Sequence, residues 1–162
     1  MNNKEALEFA AISGNIDMLV WLEEQQPPMY PDIYTVVGAV YYGHLHILEW
    51  LASPPPESSR PAVFVTSDNG AAMYAAAAGR VEVLEWLASP PAGSARPAVV
   101  FDVAAANTMA AEGHVHALQW LASPPPGSGR NPVFCDEDGA KTANSLGQVD
   151  VVAWLEQERA RG

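Results

Sequence analysis

The chain has one cysteine, few basic residues and no long apolar run. With Cys135 alone, no intramolecular disulfide can form, and a secreted domain held together by disulfides is not expected. Proline or glycine interrupts every uncharged stretch before the roughly 20 apolar residues that cross a bilayer, and Met1 leads into Asn-Asn-Lys-Glu rather than a signal peptide. These absences predict a soluble intracellular protein without membrane contact.

Basic side chains are scarce. There are 8 Lys and Arg against 19 Asp and Glu, which gives a formal net charge of −11. Binding to a nucleic-acid backbone requires clustered cations that displace counterions, so nucleic acid is excluded as the expected partner. An acidic surface either keeps the protein in solution or attracts a basic protein partner.

Motifs of catalysis and metal binding are also missing. The chain has no Gly-rich phosphate loop, no nucleophile elbow and no Ser-His-Asp set. In Gly-His-Leu-His (43–46) and Gly-His-Val-His (113–116), two histidines separated by one residue would not share a helix face, and no further ligand stands at zinc spacing. His44 and His114 are instead expected to bond backbone in a turn. The chain is predicted to be no enzyme and to hold no cofactor or metal.

Two features near residue 136 have structural interpretations. The run Asp136-Glu137-Asp138 lacks the alternating spacing of a calcium loop, so we interpret it as a capped helix start. Cys135 has no histidine or basic residue beside it in the sequence to lower its pKa. An inert thiol is therefore expected.

What the chain has in abundance is internal repetition. The phrase GRVEVLEWLASPP, from Gly79 to Pro91, returns in five copies, and each copy places a tryptophan seven positions after its glycine. The glycines are Gly14, Gly43, Gly79, Gly113 and Gly147, and the tryptophans are Trp21, Trp50, Trp86, Trp120 and Trp154. The gaps of 29, 36, 34 and 34 residues between tryptophans are typical of stacked helical repeats.

Each copy predicts a helix, a tight turn and a second helix. After the glycine, aliphatic residues recur at helical spacing, and in the middle three copies a Ser-Pro step ends the helix. Eleven residues before the glycine stands a helix-capping side chain, which is Asn3 in the first copy and an aspartate in the others. These aspartates are Asp32, Asp68, Asp102 and Asp136.

Pro-rich connections separate the copies. They span 53–65, 89–100 and 123–134, carry an arginine ten residues after each tryptophan (Arg60, Arg96 and Arg130), and end in a Val/Phe patch of extended character. The chain is predicted to be one all-α domain of five units, at about 3–31, 32–67, 68–101, 102–135 and 136–162. The Ser-Pro steps at 53, 89 and 123 are either helix stops or sites of proline-directed phosphorylation.

This pattern resembles the ankyrin repeat family. The residues that carry the resemblance are Ala-Ala-Ile-Ser-Gly-Asn at 10–15, Ala-Ala-Ala-Ala-Gly-Arg at 75–80, and Gly-His at 43 and 113. The family's Thr-Pro-Leu-His opening is absent, and an aspartate stands where the family usually has its finger glycine. The Trp-Leu ending with Pro-rich connections is similar to divergent ankyrin proteins of large DNA viruses of amoebae. The resemblance implies an ankyrin-type solenoid. It also implies an intracellular, cytoplasmic location, which includes the cytoplasm of an infected host cell.

In ankyrin proteins, the two residues before the glycine face the concave groove that holds a partner. The matching residues are Ile12 and Ser13, Tyr41 and Tyr42, Ala77 and Ala78, Ala111 and Glu112, and Ser145 and Leu146. Tyr41 and Tyr42 are the favoured contacts, since tyrosine is enriched at binding surfaces. Phe9 and Tyr74 stand on the same row and would extend a partner patch over the first three units, but burial between units is the favoured interpretation for these two. All five tryptophans are expected to lie in the core.

The resemblance implies a protein–protein interaction module that binds a protein partner on its concave face. The alternative is a structural or self-assembling protein, homo-oligomeric or virion-associated, that uses the same surfaces. A defined oligomer in light scattering would favour the alternative.

Overall fold

A computed structural model describes residues 3–64 and 70–161. Within these ranges the chain is all-helical, as predicted, and carries no strand. The first helices of the five units are α1 (Asn3–Ile12), α3 (Ile33–Tyr42), α5 (Ala71–Ala78), α7 (Val103–Ala111) and α9 (Glu137–Ser145). The second helices are α2 (Ile16–Glu23), α4 (Leu45–Ala52), α6 (Val81–Ala88), α8 (Val115–Ala122) and α10 (Val149–Arg161).

The helices stack in two rows. Each first helix packs against the second helix of its own unit and against the first helix of the next unit, from α1 through α9. In the other row, α4, α6, α8 and α10 contact one another in the same order. One continuous apolar core therefore runs the length of the chain rather than forming a single central cluster.

Aspartate side chains cap three first helices, as predicted. The backbone N–H of Thr35 donates to Asp32 at 3.2 Å, and that of Ala105 donates to Asp102 at 3.1 Å. The N–H of Gly139 donates to Asp136 at 2.9 Å. Each bond satisfies a donor that the first turn of a helix leaves free. The predicted cap Asp68 lies outside the described residues, and α5 begins after Gly70.

The repeated glycines turn the chain between the paired helices. All five have positive φ, at 71° for Gly14, 82° for Gly43, 60° for Gly79, 82° for Gly113 and 75° for Gly147. This is the left-handed conformation that ends a helix without the penalty a Cβ would add.

In three units, the residue after the glycine ties its unit to the one before. The Nε2 atom of His44 lies 2.9 Å from the carbonyl oxygen of Ile12, and that of His114 lies 2.7 Å from the oxygen of Ala77. Gln148 donates its amide to Ala111 in the same way, at 2.7 Å. The expected bond from histidine to backbone is confirmed, and the acceptor lies at the end of the first helix of the preceding unit.

An arginine lies over the ring of each of the three middle tryptophans, an arrangement that we call the Arg–Trp clasp. The guanidinium carbon is 3.8 Å from the ring centroid for Arg60 over Trp50, 3.7 Å for Arg96 over Trp86, and 3.8 Å for Arg130 over Trp120. Arg60 also donates to the carbonyl oxygens of Trp50 and Leu51, at 2.8 and 3.2 Å. Because Arg60 is 3% and Arg96 6% exposed, the clasp closes the edge of the core.

Each Pro-rich connection folds back onto the helix it has just left. The N–H groups of Val63, Val99 and Val133 donate to the carbonyl oxygens of Leu51, Leu87 and Leu121, at 3.0, 2.9 and 3.2 Å. Serine hydroxyls at 58, 94 and 128 accept from the N–H of the clasp arginine two residues later. In the described residues, these bonds hold the predicted extended patches in place, and the patches form no strand.

The tryptophans do not share one environment. Trp154 is 8% exposed, and Trp50, Trp86 and Trp120 are half-buried against the core. The core prediction is wrong for Trp21, which is 56% exposed. The shorter first connection has no arginine, and Gln25 bonds the Trp21 carbonyl at 2.8 Å instead, so no side chain lies over this ring in a clasp.

Candidate functional site

Large apolar side chains are exposed along the first helices of the first three units. We call this set the aromatic face: Phe9 (57% exposed), Ile12 (39%), Tyr34 (54%), Tyr41 (45%), Tyr42 (48%), Met73 (39%) and Tyr74 (48%). Isolated exposed apolar residues are ordinary, but a row of them across adjacent packed helices is typical of an interaction surface.

Helical spacing places these residues on one side. Phe9 and Tyr74 stand five positions before their glycines, and Ile12 and Tyr41 stand two positions before theirs. The opposite side of each first helix is lined by small residues that are fully buried, including Ala10, Ala39 and Ala75. Because alanines let neighbouring first helices approach closely, the bulky side chains are left on the outer side.

Phe9 and Tyr74 therefore contradict the expectation of burial between units. Their positions in the repeat are equivalent, and the residue at that position of the second unit is Gly38. A Cβ at Gly38 would lie 3.3 Å from Cγ1 of Ile12, which shows how tightly α1 and α3 pack there. At the equivalent position of α5, the ring of Tyr74 is accordingly exposed rather than inserted between helices.

At the end of the aromatic face next to the turn, the side-chain rings pack against one another. The rings of Tyr41 and Tyr42 meet edge to face with centroids 5.4 Å apart, and Tyr42 stacks on His44 at 6.5 Å with an interplanar angle of 11°. His44 in turn bonds the carbonyl oxygen of Ile12. A side chain held by its neighbours loses less conformational entropy when a partner binds.

A cation already lies on the other end of the face. The ammonium nitrogen of Lys4 is 3.4 Å from the ring centroid of Tyr34. It also lies 4.0 Å from a carboxylate oxygen of Glu8 and 3.9 Å from one of Asp32. The tyrosine ring and the two carboxylates thus form a cation subsite that the chain's own lysine occupies.

The predicted partner-binding residues are accessible to different degrees. Ile12, Ser13, Tyr41, Tyr42 and Glu112 are exposed, whereas Ala77 and Ala78 are half-buried. Ser13 is engaged locally, because its hydroxyl donates to the carbonyl oxygen of Phe9 at 2.8 Å. Ser145 and Leu146 lie at the same position two units beyond the aromatic face, and Leu146 is 59% exposed.

Sequence reasoning missed two residues of this face, Tyr34 and Met73, and also Lys4, which lies over Tyr34. Tyr34 stands seven residues before Tyr41, which is two helical turns and therefore the same side of α3. That spacing was available as a signal. The position of Lys4 over Tyr34 was not, because it depends on the packing of α1 against α3.

Cys135 lies half-buried where the fourth connection meets α9. Burial, and next the neighbouring carboxylate of Asp136, raise the pKa of this thiol, which keeps it protonated at neutral pH. A crevice between α9 and α10 is lined by Glu137, Lys141, Glu156 and Arg159, and Lys141 is paired with Glu137 at 3.1 Å.

Among the residues that the structure describes, no group of three or more His, Cys, Asp or Glu side chains could hold a metal ion. Over the same ranges, no helix has both the length and the apolar character needed to span a membrane. No protein-family model, curated protein or solved structure matches the chain.

Proposed function

We propose that the chain is a protein–protein interaction module of the ankyrin type, and that its partner binds the aromatic face. The observation that carries this proposal is the row of seven exposed apolar side chains on three adjacent first helices. Rigid tyrosines with an apolar ring and a polar hydroxyl supply much of the binding energy in protein interfaces.

Two further features support the ankyrin-type architecture. The first helices pack in order from unit to unit, and in three units the residue after the turn glycine bonds the end of the preceding unit's first helix. Both arrangements suit a solenoid whose units contact only their neighbours. The partner then binds by shape complementarity to a surface that several units build together.

The test is a comparison of two double variants. Tyr41→Ala/Tyr42→Ala removes the ordered end of the aromatic face, whereas Val100→Ala/Val149→Ala removes two apolar side chains that are 76% and 74% exposed elsewhere. Affinity purification from the native cell with mass spectrometry should yield a partner with wild type and the valine variant but not with the tyrosine variant. The purified partner should then bind wild type and the valine variant but not the tyrosine variant. A partner retained equally by all three proteins would refute the proposal.

The alternative function, self-assembly, is favoured by one observation. On α2 of the first unit, Val20 and Trp21 are 38% and 56% exposed, a pair of apolar side chains that a second copy could cover. Light scattering over a concentration series separates the two functions. A defined oligomer that Trp21→Ser disrupts would favour self-assembly, and a monomer at all concentrations would exclude it.

A further inference from the structure

Most cations of this chain are already engaged. Of its eight Lys and Arg residues, six contact a carboxylate or an aromatic ring within the described ranges: Lys4, Arg60, Arg96, Arg130, Lys141 and Arg161. The acidic side chains outnumber the basic ones by 19 to 8. The surface therefore presents a strong excess of negative charge to a partner.

Four aromatic rings within the described ranges have a cation of the chain over them. The three clasps place a guanidinium 3.7–3.8 Å from a tryptophan centroid. On the aromatic face itself, the Lys4 ammonium lies over Tyr34 between Glu8 and Asp32. The Lys4 side chain is 50% exposed, so solvent and a competing cation can both reach this subsite.

We propose that the partner bound by the aromatic face is a basic protein segment, whose Lys or Arg side chains lie over the exposed tyrosines. The inference rests on the proposed function and specifies the chemistry of the partner. One basic side chain of the segment displaces Lys4 from the subsite of Tyr34, Glu8 and Asp32. Others contact Tyr41, Tyr42 and Tyr74, while the acidic surface accelerates the encounter.

One cation of the chain opposes such a partner. Arg80 is exposed, and its side-chain atoms lie 3.6 Å from the position a Cβ on Gly43 would occupy, directly after Tyr42. A guanidinium there repels an incoming basic side chain. Replacement of Arg80 by Gln should therefore strengthen binding, which a purely apolar contact would not show.

The first experiment identifies the chemical class of the bound segment without assuming that it is basic. A random peptide library is selected on the wild-type protein and counter-selected on the folded Tyr41→Ala/Tyr42→Ala variant. Enriched peptides that are rich in Lys and Arg support the inference. Enriched peptides that are neutral or acidic overturn it and leave the proposed function standing. If the counter-selection removes every peptide that binds the wild type, or no peptide is enriched, both fail.

The second experiment tests the subsite with a fluorescent peptide of alternating Gly and Arg, read by anisotropy. Lys4→Met should tighten binding about threefold, since it empties the subsite, and Tyr34→Leu should weaken it by a similar factor. Glu8→Gln should weaken it about twofold. Two matched controls carry the same charge changes elsewhere. Lys141→Met alters a lysine paired only with carboxylates in the fifth unit, and Glu82→Gln alters an exposed carboxylate on α6.

The comparison with the controls decides the result. If Lys4→Met and Lys141→Met have equal effects, binding reflects overall charge and the subsite assignment is overturned. If Lys4→Met weakens binding, Lys4 contacts the partner itself and displacement is refuted. Circular dichroism of every variant confirms that the helices are retained.

Discussion

The guanidinium of Arg60 lies over the indole ring of Trp50 and is paired with Glu23 of the preceding unit through its Nε, at 3.2 Å. One side chain thus joins a connection, a helix and the neighbouring unit. Burial lowers the pKa of Arg60, and the carboxylate of Glu23 opposes this shift. Breaking this pair removes a fully buried guanidinium and leaves the half-buried Glu23 carboxylate with the Ser58 hydroxyl alone.

We expect Arg60→Met to lower the free energy of unfolding by about 3 kcal/mol, the usual cost of removing one member of a buried ion pair. Arg130→Met is the matched control, because Arg130 also lies over a tryptophan but is only half-buried. That variant should cost about 1 kcal/mol. Urea unfolding measures both, and equal losses would show that Glu23 adds nothing to the clasp.

The tryptophans should differ in their contribution to stability. Trp86→Ala removes a ring packed between the core and Arg96 and should cost about 3 kcal/mol. Trp21→Ala removes a ring that is 56% exposed and should cost less than about 1 kcal/mol. Thermal and urea unfolding compare the two, and a larger loss for Trp21 would contradict the described packing.

Gly79 should tolerate substitution worse than Gly147. Both have positive φ, so an alanine costs about 1–2 kcal/mol at either position. At Gly79 a Cβ would also collide with the imidazole of His114, whereas at Gly147 no atom lies within 4 Å. Gly79→Ala should therefore lose about 3 kcal/mol in total. Adding His114→Ala to Gly79→Ala should remove the collision, and a double variant no more stable than the sum of the two single losses would contradict this.

Stability should fall in acid partly through Asp136. The N–H of Gly139 and then the amide of Asn107 hold the pKa of this carboxyl below its ordinary value of 3.8. A lowered folded-state pKa stabilises the protein above the unfolded value, and that contribution disappears as pH falls from 3.8 through the folded pKa. Asp136→Asn keeps a capping side chain but removes the charge.

The loss of stability between pH 7 and pH 3 should accordingly be smaller for Asp136→Asn than for wild type, as measured by urea unfolding at both pH values. Asp102→Asn, with a cap on α7, is the matched comparison. An unchanged pH dependence in Asp136→Asn would show that the cap does not require ionisation.

Local chemistry explains which parts of the fold could be predicted. The capping role of Asp32 and the turn at Gly43 depend on residues within one helix end, and both stand as predicted. The clasp of Arg60 was not predicted, although its spacing from Trp50 was visible, because it requires the connection to fold back on α4. Sequence spacing along a loop does not specify that return.

The exposure of the aromatic face could be predicted only in part. Tyr41 and Tyr42 were assigned correctly to an accessible surface, but Phe9 and Tyr74 were expected inside because large aromatic residues usually supply core area. The alanines that fill the interior, such as Ala10 and Ala75, carried the contrary signal. A helix that buries alanine on one side has no room for an aromatic ring there.

Four side-chain contacts between units share one direction. His44, Arg60, His114 and Gln148 each extend a side chain to an atom of an earlier unit. As the chain leaves the ribosome, the acceptors for each new unit have already been synthesised. These four contacts can therefore form as soon as their own unit has been made, with the completed unit before it serving as the template.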